Sequence, residues 1–261
     1  MTSLFVKRNA AAPPGLFAWE AAGLQWLSSV PGGVPCAQVL AQDDTSLTLR
    51  RLPSVPPSRD AARDFGHRLA VTHGAGAPGF GAPPDGWQGP GFFGPLEQPL
   101  PMPTTARRRW GEFYADQRLT PMADRAAAHL DAATRRAVAA VATRCRSGDY
   151  DDDDAPARLH GDLWSGNVMW TPDGVVLIDP AAHGGHRETD MAMLALFGCP
   201  HLEAVLDGYQ RVHPLRRGWR DRIGLHQLFP LLAHVALFGA GYTQPAAVAA
   251  RRALDFTHRD C

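Results

Sequence analysis

Cysteine is scarce in this chain of 261 residues, at only four positions: Cys36, Cys145, Cys199 and Cys261. No CxxC pair and no short cysteine-histidine spacing occurs among them, which excludes a zinc-organised fold and leaves buried or inert thiols. An excess of either charge is also missing. Lys plus Arg and Asp plus Glu number 26 each, so no overall field draws the chain to nucleic acid or to an acidic membrane surface. The expected partner is small or locally recognised. No apolar run reaches the ~20 residues that span a bilayer, and MTSLFVKRN lacks the apolar core of a secretory signal. The resulting expectations are a reducing cytoplasm, no membrane and no nucleic acid. Internal repeats are absent, and nothing in the sequence bears on oligomeric state.

With 45% hydrophobic and 20% charged residues, the chain has the makings of a folded core in one large domain or two lobes. SLFVKR is short, apolar and partly β-branched, and reads as a strand. In LFAWEAAGLQWLSS, Leu16, Phe17, Glu20, Leu24 and Leu27 recur near helical spacing, and VPGG ends the helix. Strands are expected around Ala37 to Ala41 and Ser46 to Leu52. A helix opens at Ser58, with an acidic residue two positions on, and should turn Phe65, Leu69 and Val71 toward a core. From Ala75 to Pro103 the chain is dense in Gly and Pro and reads as a long loop, of a length that is often functional. RRRWGEFYADQRL and MADRAAAHLDAATRRAVAAVATRC read as two helices. The run DYDDDD, Asp149 to Asp154, reads as a solvated linker, because successive aspartates cannot all point at one ion from a regular element. Two short strands, Asn167 to Trp170 and Val175 to Ile178, flank the turn TPDG. Beyond Glu188 one helix follows another.

Chemistry concentrates in RLHGDLWSGNVMW and the apolar run VVLIDP after it. Asp162 and Asn167 are separated by four residues, and a hairpin ahead of Asp179 would fold that carboxylate back over them. Taken alone, His-Gly-Asp is usually a turn, and Asn167 and Asp179 could be turn formers at strand edges. The joint pattern suits phosphoryl transfer: one carboxylate accepts the proton of an attacking hydroxyl, while an amide oxygen and a second carboxylate hold magnesium on the phosphates of a nucleotide. Lys7 on the first strand and Glu20 on the next helix then stand where a kinase small lobe keeps its phosphate-binding lysine and that lysine's acidic partner.

The segments LHGDLWSGNVMW and LIDPAAHGGHRETDMAMLALFG, with FVKRN, FAWEAAGLQWL, RRWGEFYADQRLTP and HVALFGAGY, resemble the fructosamine kinases, or ketosamine-3-kinases. That family has a protein-kinase-like, aminoglycoside-phosphotransferase-like fold. The resemblance implies a bilobal α/β fold, with a small lobe over residues 1–52 and a mainly helical large lobe over residues 53–261. It implies ATP and Mg2+ as cofactors and phosphorylation of the sugar 3-hydroxyl of ketosamines, leading to deglycation. By position, Asp162 matches the catalytic base, Asn167 and Asp179 the metal ligands, and Lys7 and Glu20 the small-lobe ion pair. Backbone groups of Arg50, Arg51 and Leu52 match the hinge that faces adenine. Trp164 could line the sugar site, and His186, Arg187 and Glu188 could shape the substrate side of the pocket. His160 matches a packing residue. Asp190 matches a buried aspartate that hydrogen-bonds the catalytic-loop backbone.

Three departures from the family pattern stand out. The family's phosphate-covering hairpin precedes the lysine strand, whereas this sequence begins at that strand. Either the natural start lies upstream or the small lobe is truncated, and an exposed edge beside Lys7 would be an aggregation hazard. Arg50 and Arg51 stand at the hinge where an acidic or aromatic residue is expected, and His183 and Gly184 stand where aromatics are common. Two rival readings are carried: a related kinase of an aminoglycoside or choline-like alcohol, and a non-catalytic pseudokinase that binds without phosphorylating.

Overall fold

The computed structural model describes residues 3–256; Cys261 lies outside them. The chain begins with strand β1 (Leu4–Arg8), helix α1 (Leu16–Ser28), and strands β2 (Val39–Gln42) and β3 (Ser46–Arg50). These strands form an antiparallel sheet in the order β1-β3-β2, with Lys7 opposite Leu47. Phe17, Ala21 and Leu24 of α1 pack on Leu47 and Leu49 of the sheet, which is what the helical spacing of that segment predicts. β1 is the sheet's edge, and Leu4, Phe5 and Val6 on it are exposed.

Helix α2 (Arg59–Gly74) starts where Ser58 accepts a hydrogen bond from the Ala61 amide. It buries Phe65 and Leu69, but Val71 is only half-buried, and Thr72 and His73 take the inner positions. The stretch read as a long loop contains a hairpin, β4 (Gly91–Phe93) with β5 (Leu100–Met102). Next come α3 (Trp110–Tyr114), a π-helical turn over Ala115–Leu119 and α4 (Thr120–Ala126), in one uninterrupted helical path. The Ala-rich segment is therefore not a single helix. It breaks after a short 3-10 turn, and Asp131 caps a new helix, α5 (Ala132–Ser147), by accepting from the Thr134 amide. An N-cap satisfies the otherwise orphaned donors of a first turn, so the break falls there rather than at a glycine.

The aspartate run is a second correction. Asp151 accepts from Arg109 and from the Gly111 amide, Asp152 faces His186, and Asp154 pairs with Arg187 at 2.7 Å. Only Asp153 is fully solvated. The run is a clasp between α3 and the segment ahead of α6, not a linker.

Strand β6 (Ala157–Leu159), which the sequence did not reveal, pairs with β9 (His183–Gly185), while β7 (Val168–Thr171) and β8 (Gly174–Leu177) make the expected hairpin. Helices α6 (Glu188–Leu196), α7 (Leu202–Val212), α8 (Trp219–Phe238) and α9 (Thr243–Asp255) complete the described chain. Gly66 of α2 and Gly208 of α7 let those two helices pack backbone to backbone: a Cβ at either would collide with a carbonyl of the other helix, that of Val205 or of Arg63. The stretch Trp219–Asp255 does meet the length and apolarity of a membrane span, contrary to expectation, yet more than half of its most apolar window is buried inside the fold. Leu228, Leu232 and Val235 of α8 sit in the largest core cluster. Pro230 within α8 has no amide hydrogen, and the Tyr114 hydroxyl enters the helix there, donating to the Leu225 carbonyl while accepting from the Phe229 amide.

Candidate active site

The β7-β8 hairpin is closed at one end by the turn between Thr171 and Gly174, and Val168 pairs with Leu177 at its open end. The residues flanking that open end are Asn167 and the Ile178-Asp179 step, and the Ile178 amide donates to the Asn167 carbonyl. Two residues twelve apart in sequence are thereby made neighbours. β6 delivers the third group. After Leu159 the chain turns through Gly161, at φ +81, where a Cβ would collide with the Ala181 carbonyl, so only glycine lets Asp162 approach the hairpin.

Asp190, on α6, holds this turn from behind. Its carboxylate, fully buried, accepts from the amides of His160 at 2.8 Å and Gly161 at 3.0 Å and from His73 Nε2 at 3.1 Å. Burial would raise its pKa, but His73 and the backbone donors hold it below the ordinary carboxylate value. His160 donates from Nε2 to the Ile178 carbonyl and accepts the Asp162 amide at Nδ1. Burial keeps that imidazole neutral. It is a brace between the loop and the hairpin.

The Asn167 amide nitrogen donates to the Asp162 carbonyl at 2.8 Å and to its carboxylate at 3.2 Å. The Asp179 carbonyl, at 3.5 Å, is a third acceptor for Nδ2, and Oδ1 makes no hydrogen bond among the described residues. Burial raises the Asp162 carboxyl to about 7; the Asn167 hydrogen bond works against this shift, and Asp179 and Asp190 add to it. A carboxylate with a pKa near neutrality is poised to take and release a proton. Asp179 has φ 54, a left-handed conformation uncommon for a residue with a side chain. One of its oxygens meets Lys7 Nζ at 2.5 Å, and the same ammonium meets Glu20 at 2.8 Å. Burial would lower the Lys7 pKa, yet the two carboxylates overcome it and keep the lysine charged. Glu20 is raised by burial despite Lys7.

These groups open into one cavity of about 300 Å³. Lys7, Glu20, Asp162, Trp164, Asn167 and Asp179 all line it. Asn167 and Asp179 both line the cavity, and their side-chain oxygens are hard donors of the kind magnesium takes, so these residues could hold the ion.

The other expected site residues lie elsewhere. Arg50, Arg51 and Leu52 are not in the cavity wall. The Arg50 amide donates to the Gln38 carbonyl and the Arg51 amide to that of Ser3, which leaves the Leu52 amide without an acceptor among the described residues. The Arg50 guanidinium binds Gln38, and that of Arg51 lies over the Phe5 ring. His186, Arg187 and Glu188, expected to shape the substrate side, are buried away from the cavity. His186 and Arg187 serve the aspartate clasp, and Glu188 forms a two-pronged pair with Arg222 at 2.5 and 2.8 Å. Although the donor atoms of His186, Glu188 and His226 lie within 4.8 Å of one another, this pairing with Arg222 already satisfies the carboxylate. The sequence reading also missed much of the wall: Phe92, Phe93, Pro95 and Leu96 from the β4-β5 hairpin, and His234, Leu237 and Phe238 from the end of α8. The only available signals were the loop's length and the motif HVALFGAGY.

The profile of the family described as fructosamine kinase matches residues 1–255. A protein of Synechocystis sp. named probable ketoamine kinase is 33% identical over 253 residues, covering 93% of this chain and 80% of its own. The crystal structure of a fructosamine-3-kinase candidate from Thermobifida fusca superposes with a TM-score of 0.89 at 50% identity, covering 98% of this chain and 86% of that one. An aminoglycoside phosphotransferase in complex with ADP and hygromycin B superposes with a TM-score of 0.57 at 17% identity, over 97% of this chain and 87% of that one, a likeness of fold alone. The architecture is the one shared by aminoglycoside phosphotransferases and protein kinases, as the sequence led us to expect.

Proposed function

The chain belongs to the fructosamine kinase family and is a phosphotransferase; from that premise we propose that it moves the γ-phosphoryl group of ATP to the 3-hydroxyl of a ketosamine. The observation that carries this reading is the convergence of Asp162, Asn167 and Asp179 on one cavity, beside the Lys7-Glu20 pair. In it, Asp162 accepts the 3-hydroxyl proton as the sugar oxygen forms its bond to phosphorus and the bond from phosphorus to the ADP oxygen breaks. Lys7, held by Glu20, lies against the phosphates. Asn167 and Asp179 would hold Mg2+, whose chemistry when bound is to neutralise charge on the phosphates. Residues up to about 52 act as the small lobe and the remainder as the large lobe, with the Leu52 amide, unlike those of Arg50 and Arg51, free for adenine. A 3-phosphorylated ketosamine is unstable and releases its amine, so the role is deglycation, in the cytoplasm, on free or protein-bound adducts.

Measurement of ADP release with a fructosamine and, in parallel, with an aminoglycoside and choline tests the proposal. Magnesium-dependent turnover of the fructosamine, with the 3-phosphate identified by phosphorus NMR, is expected. Turnover of only the aminoglycoside or choline, or binding of ATP without any transfer, would overturn it in favour of a related alcohol kinase or a pseudokinase.

A further inference from the structure

Beyond the phosphoryl-transfer groups, the cavity wall changes character. Trp164 and Phe238 flank its mouth and remain 39% and 57% exposed, large apolar surfaces that the fold itself leaves uncovered. Between them runs a connected aromatic shelf. Phe197 lies 6.1 Å from Trp164 and 4.9 Å from His234, and His234 lies 5.5 Å from Phe238 and 4.9 Å from Tyr242, centroid to centroid. Exposed aromatics gathered at the mouth of a cavity mark a ligand surface rather than incomplete packing.

Among the polar groups of this shelf, which include the Tyr242 hydroxyl and the Trp164 indole N–H, His234 has a defined state. His234 Nδ1 lies 2.7 Å from the Pro230 carbonyl, and facing a carbonyl it must carry the proton. Nε2 is then a bare acceptor, without a hydrogen bond among the described residues, on a ring that lines the cavity. Burial lowers the pKa of this histidine and keeps it neutral. The carboxylates of the cavity wall are Glu20, Asp162 and Asp179. Lys7 engages Glu20 and Asp179, and the transfer step uses Asp162. The shelf therefore offers π faces and a lone pair but no negative charge. Its fit is to a partly hydrated organic cation that carries at least one N–H donor.

Resting on the ketosamine reading, we propose that this shelf recognises the secondary ammonium that distinguishes a ketosamine from a plain ketose. The cation lies against the faces of Phe238 and Trp164, one N–H is donated to His234 Nε2, and the amine's substituent leaves over Phe238 into solvent. This exit accommodates long substituents, including the side chain of a glycated peptide.

The test compares an N-alkyl fructosamine with its uncharged oxygen-linked isostere, a 1-O-alkyl fructose, on the wild type, Phe238→Leu and His234→Leu. The wild type should favour the ammonium compound by about 10-fold or more in kcat/KM, the scale of a desolvated cation-π contact with a hydrogen bond. Phe238→Leu should lose roughly 3- to 10-fold on the ammonium compound, in KM rather than kcat, and distinctly less on the ether, whose alkyl group keeps an apolar contact with leucine. His234→Leu should erase most of the remaining preference. Equal losses on both compounds, or no preference in the wild type, would overturn the proposal. Ligand-observed NMR of the same two compounds without nucleotide separates this subsite from the transfer reaction. Ammonium-selective binding that Phe238→Leu weakens upholds the subsite even if neither compound is phosphorylated, whereas unselective binding refutes it even if both are.

Discussion

Replacing Asp190 with alanine probes how the reactive loop is held. The carboxylate is fully buried and is the acceptor for three donors: the His160 amide, the Gly161 amide and His73 Nε2. Each hydrogen bond to a charged acceptor contributes about 1.5–3 kcal/mol, but the three losses do not add, because removing the carboxylate also removes its own desolvation cost. Stranding buried donors in this way should cost about 3–5 kcal/mol, a fall of roughly 6–20 °C in Tm for a chain of this size. The catalytic effect should exceed the stability effect, since Gly161 adjoins Asp162 and a misplacement of ~1 Å can cost ~100-fold in rate. Urea unfolding followed by tryptophan fluorescence, together with kcat measured well below the transition, reads both. Asp190→Asn, which keeps the shape and one acceptor oxygen, should fall between the wild type and the alanine variant. An alanine variant with unchanged Tm and kcat would refute the reasoning, and a lowered Tm with an unchanged kcat would confine Asp190 to stability.

Asp162→Asn should reduce turnover by ~100-fold or more while leaving nucleotide affinity nearly intact; unchanged turnover would remove Asp162 as the base. Asp179→Ala should weaken nucleotide binding only when magnesium is present, and equal affinities with and without the ion, measured by calorimetry on the wild type, would remove the assigned ligands. Burial lowers His183 to about 3 and His226 to about 4, so below about 6.5 the unfolded chain takes up protons that the fold refuses, and stability falls with pH by about 2 kcal/mol for each histidine by pH 5. Asp162 acts in the opposite sense, because its raised carboxyl takes up a proton in the fold first. Asp162→Asn should therefore lose stability more steeply than the wild type between pH 7 and pH 5, by about 2–3 kcal/mol, and parallel melting curves would contradict the assignment. Gly66→Ala should destabilise by about 1–3 kcal/mol, although alanine is the better helix former, because its methyl group meets the Val205 carbonyl of α7; chemical denaturation reads the sign.

The sequence by itself determined the elements whose cause is local. A β-branched apolar run makes β1, apolar spacing places α1, Ser58 starts α2, and TPDG closes the hairpin that sets Asn167 beside Asp179. For the same reason the candidate site was legible as a cluster: its three groups lie within 18 residues, and a two-residue turn determines how they meet. The tertiary structure alone decided what depends on distant partners. Nothing in DYDDDD discloses that Arg109, His186 and Arg187 lie where they can pair with it, so a charge run that reads as solvated became a half-buried clasp. GHRE reads as a neighbour of Asp179 in the cavity, yet Arg222 and the clasp draw it into the core. Gly66 and Gly208 look like helix defects until α2 and α7 meet. The wall facing Asp162 comes from a hairpin about 70 residues upstream and a helix end about 75 residues downstream, and hydrophobic packing against a shared core, which carries no local sequence signature, brings them together.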